Sequence, residues 1–229
     1  MFSVVIPIFN EEQNISNLLF EIKNSLSGFK DYEIIYVNDS SKDKSLIILE
    51  EIVKKNNNIR ILNNEKNKGQ SYSIFQGVKE ASFDIIVTID GDGQNNPIDI
   101  SNLVKLFLSD KKISLVGGIR TKRKDSLVKI FSSKIANYIR AKILNDECSD
   151  TGCSLKVFDK RVFLDFPYFN GMHRFLPALF KGYGYNTMFI EVDHRHRKHG
   201  NSKYGTFDRL YKGIFDMIRV KKILNNKNK

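Results

Sequence analysis

Ile85-Ile86-Val87-Thr88-Ile89-Asp90-Gly91-Asp92-Gly93-Gln94-Asn95-Asn96-Pro97 is the stretch on which the fold reading turns. Its first five residues are mostly β-branched and apolar, the pattern of a buried parallel strand. The apolar run stops at Asp90, where such a strand leaves its sheet. In open α/β sheets ligands sit in the crevice beyond the carboxyl ends of the strands, so the carboxylates of Asp90 and Asp92 are placed to meet one. Gly91 and Gly93 let the backbone turn tightly and leave room for a bulky ligand. Gln94 adds a neutral oxygen. Hard divalent cations such as Mg²⁺ take a few oxygen ligands and share the rest of their shell with phosphate and water, so this cluster suits a cation carried by a diphosphate. The competing reading is a polar turn capping the next helix, with Pro97 near its first position. The buried strand ahead of the cluster and the Gln and Pro behind it favour the site.

Upstream, Ser3 to Ile8 reads as a buried strand whose end is marked by Pro7, because proline cannot donate inside a sheet. Ile15, Leu18, Leu19, Ile22 and Leu26 follow at helical spacing, behind Glu11 and Glu12. Glu33 to Val37 is a second strand, ending at Asn38-Asp39-Ser40-Ser41 much as the central strand ends at Asp90. Ile59 to Leu62 is a short third strand. The helix after Gly69 carries the small residues Ser71, Ser73 and Gly77, which fit close approach of a ligand and tight helix packing equally well. Downstream, Ile100, Leu103, Val104 and Phe107 form a helical stripe, and Ser114 to Gly117 reads as a strand. The alternation of strand and helix predicts an α/β fold with a mainly parallel sheet covered on both faces. Neither G-x-G-x-x-G nor G-x-x-x-x-G-K is present, so dinucleotide and P-loop sites lack their phosphate cradles.

The second half opens with a basic loop, Gly118 to Lys124, and a long helix from about Leu127 to Leu144. A polar loop holding Asp150, Gly152 and Ser154 precedes a strand or hairpin at Leu155 to Phe158. A short helical region begins near Gly171 to Pro177, and Thr187 to Val192 is the last strand. It runs into His194-Arg195-His196-Arg197-Lys198-His199-Gly200-Asn201-Ser202-Lys203-Tyr204. Three histidines among so many cations oppose a second positive ion, so phosphate contact is favoured over metal there. Phe207, Leu210, Tyr211, Ile214, Phe215 and Ile218 then repeat at helical spacing, with Arg209, Lys212, Arg219, Lys221 and Lys222 between or beyond them. Such a helix fits a membrane interface or packing on its own domain. The expected division is residues 1–205 as the catalytic domain and 206–229 as an amphipathic helix with a polar tail.

The chain of 229 residues is long enough for one such domain. Its net charge of +11 favours an acidic partner: anionic lipid, phosphate-bearing substrate or nucleic acid. No aromatic-basic nucleic-acid module is recognisable, and no nucleic acid is expected as partner. The two cysteines, Cys148 and Cys153, read as free thiols of a cytosolic protein. No basic segment with a long apolar run opens the chain, and no apolar run reaches the length of a membrane span.

Several segments resemble, in order, the inverting family 2 glycosyltransferases with the GT-A fold. The similarity is to the branch that includes dolichol-phosphate mannose synthase and its bacterial polyprenyl-phosphate relatives, and it covers nearly the whole chain. Val5-Ile6-Pro7-Ile8-Phe9-Asn10-Glu11 resembles V-I-P-x-Y-N-E, and Val37-Asn38-Asp39-Ser40-Ser41-Lys42-Asp43 resembles V-D-D-x-S-x-D with Asn38 replacing the first aspartate. Asn67-Lys68-Gly69 through Gly77 resembles the N-x-G helix motif, and Asp90-Gly91-Asp92-Gly93-Gln94 resembles D-A-D-L-Q. Asp150 to Lys156 is similar to D-x-S-G-F-R with Cys153 at the aromatic position, and Arg197 to Tyr204 is similar to R-x-x-G-x-S-K-Y.

The resemblance implies that Pro7, Phe9, Glu11, Val37 and Asp39 hold the nucleoside of a GDP- or UDP-hexose donor. Asp90, Gly91, Asp92 and Gln94 would take its ribose and a bridging Mg²⁺ or Mn²⁺. Arg120, Arg197 and Lys203 would meet phosphate, with Lys129 and Ser133 near the acceptor phosphate. Asp92, Arg120 and Arg197 are the catalytic candidates. The implied activity is transfer of one hexose to a polyprenyl phosphate on the cytosolic face of a membrane. The protein would be peripheral there, through its last helix or a membrane-protein partner. Two rival readings are a family 2 enzyme acting on a glycan or lipopolysaccharide hydroxyl, and a non-catalytic basic adaptor.

Overall fold

A computed structural model describes residues 1–120, 139–197 and 206–227, the side chains of 206–212 aside. Strands β1 (Phe2–Ile8), β2 (Tyr32–Asn38), β3 (Ile59–Asn63), β4 (Ile85–Thr88) and β5 (Ile113–Arg120) alternate with helices α1 (Ile15–Ser25), α2 (Ser45–Lys54), α3 (Gln70–Glu80) and α4 (Ile98–Ser109). Strands β6 (Lys156–Asp159) and β7 (Asn186–Val192) complete a seven-stranded sheet of order β3-β2-β1-β4-β6-β5-β7. Every neighbouring pair is parallel except those made by β6, which runs against both β4 and β5. The expected α/β architecture is therefore present, with one reversed strand inserted beside β4.

Alternation along the strands sorts the core into two layers. Val4, Ile6 and Ile8 with Ile34 and Tyr36 pack with Ile15, Leu18, Leu49, Ile100 and Leu103 of α1, α2 and α4. Val5, Ile35 and Val37 pack with Ile74 and Val78 of α3 and with the later helices on the other face. Those later elements are the short helix Lys160–Leu164, a 3-10 turn at Met172–Arg174, the helix Leu176–Gly182 and the C-terminal helix Thr206–Lys227. Residues 139–144 are also helical, the described end of the long helix expected from Leu127. The Lys160–Leu164 helix carries no periodic stripe and was not foreseen. It forms because the Asp159 carboxylate accepts from the backbone N–H groups of Arg161 and Val162.

Pro7 does not end its strand: it pairs with Val37 inside β1. Val5 accepts through its carbonyl from Ile89 on the β4 side, whereas Ile8 accepts from Asp39 on the β2 side. Alternation turns the Pro7 nitrogen toward β4, beyond the last β1–β4 pair, Val5 with Thr88. No ladder bond is lost there.

The small residues of α3 serve packing at Gly77. A Cβ built at Gly77 would stand 2.4 Å from Val5 Cγ1 and 3.0 Å from Val37 Cγ2, so the helix rests directly on β1 and β2. Gly77→Ala should destabilise the protein by about 1–3 kcal/mol in denaturant titrations. A variant as stable as the wild type would show that the helix can lift off the sheet freely.

Candidate active site

The cleft lies at the carboxyl ends of β1, β2 and β4. Leaving β4, the chain passes so close to β1 that a Cβ at Gly91 would meet Ile8 Cδ1 at 2.4 Å and the Pro7 carbonyl oxygen at 3.0 Å. Only glycine fits. Gly93, at φ +72°, then turns the chain back. Asp90 and Asp92 flank this crossing. The Asp90 backbone N–H donates to Ser154 Oγ (3.2 Å), its Oδ1 accepts from Gln70 Nε2 (2.6 Å), and Asp92 Oδ1 accepts from the Gln94 N–H (3.1 Å). Burial, and then the neighbouring charge of Asp92, push the Asp90 carboxyl up to about 7 against the pull of Ser154, Lys156 and Arg120.

The wall formed by β1 and β2 carries the expected nucleoside residues. The Asp39 carboxylate accepts from the backbone N–H groups of Lys68 (2.9 Å) and Gly69 (2.7 Å) and from Asn64 Nδ2 (2.8 Å), which pins the approach to α3. Glu11 is buried and accepts from Asn14 Nδ2 (2.7 Å) and Arg197 Nη2 (2.5 Å). Pro7 and Phe9 are half-buried beside them. Val37 differs from expectation: its side chain is wholly enclosed between β2 and α3, so any ligand contact it makes is through its backbone.

Opposite this wall, residues 193–197 run back along the Gln94–Asn96 loop. Arg195 N–H donates to the Gln94 carbonyl (2.8 Å), Asn95 and His194 form a bridge, and Arg195 reaches Glu21 (2.6 Å) and Asn96 (2.5 Å). This stitching brings Arg197 Nη1 to 3.9 Å from Asp92 Oδ2, while its other arm holds Glu11. Arg120 faces Asp150 in a forked pair (2.6 and 2.7 Å) rather than standing open. Lys156, buried beneath the cleft, donates to the carbonyls of Cys153 and Thr151. Both cysteines are buried free thiols. Lys129, Ser133 and Lys203 lie outside the described residues, as do the side chains of Phe207, Leu210 and Tyr211.

Gln70 and Ser154, which grip Asp90, were missed as site residues. They stand 20 and 64 positions from it, and only the fold brings them together.

The donor set fits a divalent cation that arrives with oxygen ligands of its own. Two carboxylates crowd one loop; Arg120 is engaged by Asp150 and Lys156 by carbonyls, while Arg197, held by Glu11, stands 3.9 Å from Asp92. Among the described residues no cluster of three or more His, Cys, Asp or Glu side chains could enclose a metal, which suits a cation that shares its shell with phosphate and water.

Because the folded protein raises the Asp90 pKa above its ordinary 3.8, the folded state favours the protonated carboxyl. The stability this gives is complete below about pH 4 and is lost as pH rises through about 7. In chelator-containing buffer, Asp90→Asn should therefore raise the thermal midpoint at pH 8 and leave it nearly unchanged at pH 4. Equal gains at both pH values would locate the strain elsewhere.

Residues 3–166 match the model of "Glycosyl transferase family 2". A dodecaprenyl-phosphate galacturonate synthase of Rhizobium johnstonii is 34% identical over 95% of this chain and 65% of its own length. An undecaprenyl-phosphate 4-deoxy-4-formamido-L-arabinose transferase of Photorhabdus laumondii is 35% identical over 94% of this chain and 66% of its own. The chain thus spans just under two thirds of these curated relatives. Among solved structures, glucosyl-3-phosphoglycerate synthase from Mycobacterium tuberculosis, crystallised with Mn²⁺ and UDP-glucose, superposes with a TM-score of 0.72 at 18% identity. That likeness covers 96% of this chain and 78% of that one, and it concerns the fold. With a GT-A architecture and a family match over most of its length, the chain belongs to glycosyl transferase family 2.

Proposed function

We propose that this protein is an inverting, metal-dependent transferase that moves one sugar from a nucleotide sugar to a polyprenyl phosphate. The observation that carries the reading is the meeting of opposite charges in one cleft, with Asp92 and Arg197 3.9 Å apart. One pole suits a cation with its diphosphate and the other suits a second phosphate. The names of the Rhizobium and Photorhabdus relatives support this acceptor class. They also widen the donor panel beyond mannose and glucose, to galacturonate and 4-deoxy-4-formamido-L-arabinose.

The chain's own groups divide the work. Asp90, Asp92 and Gln94 would hold a Mg²⁺ or Mn²⁺ ion, which when bound offsets negative charge on the departing diphosphate. Arg197 offers a planar fork suited to phosphate, and Glu11 holds that fork at the cleft. A lipid phosphate, with a second pKa of about 6, is already an anionic nucleophile at neutral pH and requires no strong general base. This agrees with the other carboxylates of the cleft, since Glu11, Asp39 and Asp150 all accept from protein donors.

Residues 1–205 would form the catalytic unit, docked on a membrane by the C-terminal helix. Val220 and Leu224 bury one face of that helix; a Cβ at Gly182 would strike Leu224. Ile214, Phe215 and Ile218 stay 45%, 54% and 48% exposed, beside Arg219, Lys221 and Lys222. Packing and lipid contact thus use different faces. Among the described residues no helix is long and apolar enough to cross a membrane.

Incubating the protein with membranes, Mn²⁺ and radiolabelled UDP- and GDP-sugars should yield an acid-labile glycolipid, and Asp92→Ala should reduce its formation by about 100-fold or more. Label appearing only in soluble or polymeric glycan would transfer the reading to a hydroxyl acceptor, and Asp92→Ala at full activity would remove the carboxylate from the chemistry. The double substitution Phe215→Glu with Ile218→Glu should abolish sedimentation with anionic vesicles while leaving the melting temperature unchanged. Undiminished sedimentation would confine the helix to packing.

A further inference from the structure

The Asp90 carboxylate is gripped from outside its own loop by Gln70, the first residue of α3. Both neighbours of Gln70 are fixed. Gly69 donates its N–H to Asp39 Oδ2 (2.7 Å). On the other side, Ser71 Oγ accepts from the Gly171 N–H (2.8 Å) and is hydrogen-bonded to His173 Nδ1 (2.5 Å). Burial, and then Arg174 and Lys156, push the His173 pKa down to about 3, so the ring is neutral. The start of α3 is thus anchored on two sides, and the Gln70 amide reaches Asp90 Oδ1 at 2.6 Å from a backbone that cannot drift.

The chemical type of the grip matters as much as its position. The basic side chains whose charge acts on Asp90 are hydrogen-bonded elsewhere, Arg120 to Asp150 and Lys156 to two carbonyl oxygens. A lysine or arginine at position 70 would form an ion pair with Asp90 and compete with any cation brought by the substrate. An amide fixes the oxygen without bringing a charge of its own.

We propose that Gln70 is a positioning residue that aims the Asp90 carboxylate at the cleft without neutralising it, reserving its charge for a divalent cation bound with a nucleoside diphosphate. This deepens the nucleotide-sugar reading and rests on it. Outer partners of metal-binding carboxylates typically govern affinity rather than folding.

The test is titration of Mn²⁺ into the full chain with UDP or GDP present, followed by electron paramagnetic resonance of free Mn²⁺, on the wild type and on Gln70→Glu, Gln70→Met and Gln70→Lys. Affinity should fall in the order Glu or wild type, then Met, then Lys, with the lysine variant weaker by about tenfold or more. Melting temperatures should stay near that of the wild type, and in turnover the change should appear as a higher KM for Mn²⁺ rather than a lower kcat at saturation. If Gln70→Lys does not fold, the order of Glu, wild type and Met carries the test. A folded Gln70→Lys or Gln70→Met with wild-type Mn²⁺ affinity overturns the role of Gln70 while leaving the donor reading intact. A wild type that binds neither nucleotide with Mn²⁺ overturns both.

Discussion

Two carboxylates held on one tight loop, with too little positive charge around them, are the constraint on which the rest of this molecule depends. A Cβ at Gly91 would press on Ile8 and on the Pro7 carbonyl, and this close crossing over the end of β1 carries Asp90 and Asp92 on one short loop. Burial together with the neighbouring charge is unfavourable for the Asp90 carboxylate, and a fold selected for stability alone would move the two groups apart or give Asp90 a lysine. Here the nearby cations are engaged with other partners, and the grip on Asp90 comes from neutral groups, Gln70 and Ser154. Such under-compensated charge is a mark of a site arranged for a ligand.

The remaining parts bring the opposite charge within reach and keep it from collapsing onto the pair. Arg197 sits at hydrogen-bond distance from Glu11 but 3.9 Å from Asp92, so its closer partner is the glutamate. The stitching of residues 193–197 to the Gln94–Asn96 loop, with Arg195 reaching Glu21 on α1, makes the late basic segment part of the cleft wall. Seating of the C-terminal helix is tied to the same region. Asp216 pairs with Arg174 at 2.7 Å, next to the His173 that is hydrogen-bonded to Ser71.

Much of this was legible in the chain. Buried parallel strands announce themselves as β-branched runs, and their polar ends, Asn38-Asp39 and Asp90 to Gln94, mark the sheet edge where ligands gather. Helical stripes in α1 and α4 gave the layer on one face directly. What could not be read were features that depend on three-dimensional meeting. The Lys160–Leu164 helix is one turn long and held by a cap. Pro7 is tolerated mid-strand because β4 has already diverged, which no local pattern encodes. The fork of Arg120 on Asp150 spans 30 positions, and the enclosure of Val37 depends on how closely Gly77 lets α3 approach. The exposed stripe on the last helix was legible, but its second, packing face through Val220 and Leu224 was hidden by interleaved lysines.

The single reversed strand has a consequence of its own. A parallel strand begins at the far side of the sheet and brings its following loop to the cleft, whereas β6 begins at the cleft, so the segment that precedes it, Asp150 to Leu155, becomes a rim. The cleft thus has two kinds of edge, one made by what strands run into and one by what a strand comes out of. The two edges are joined at Ser154, which accepts from the Asp90 N–H and donates to Asn95, so a change of the entrance there is felt by the carboxylate loop.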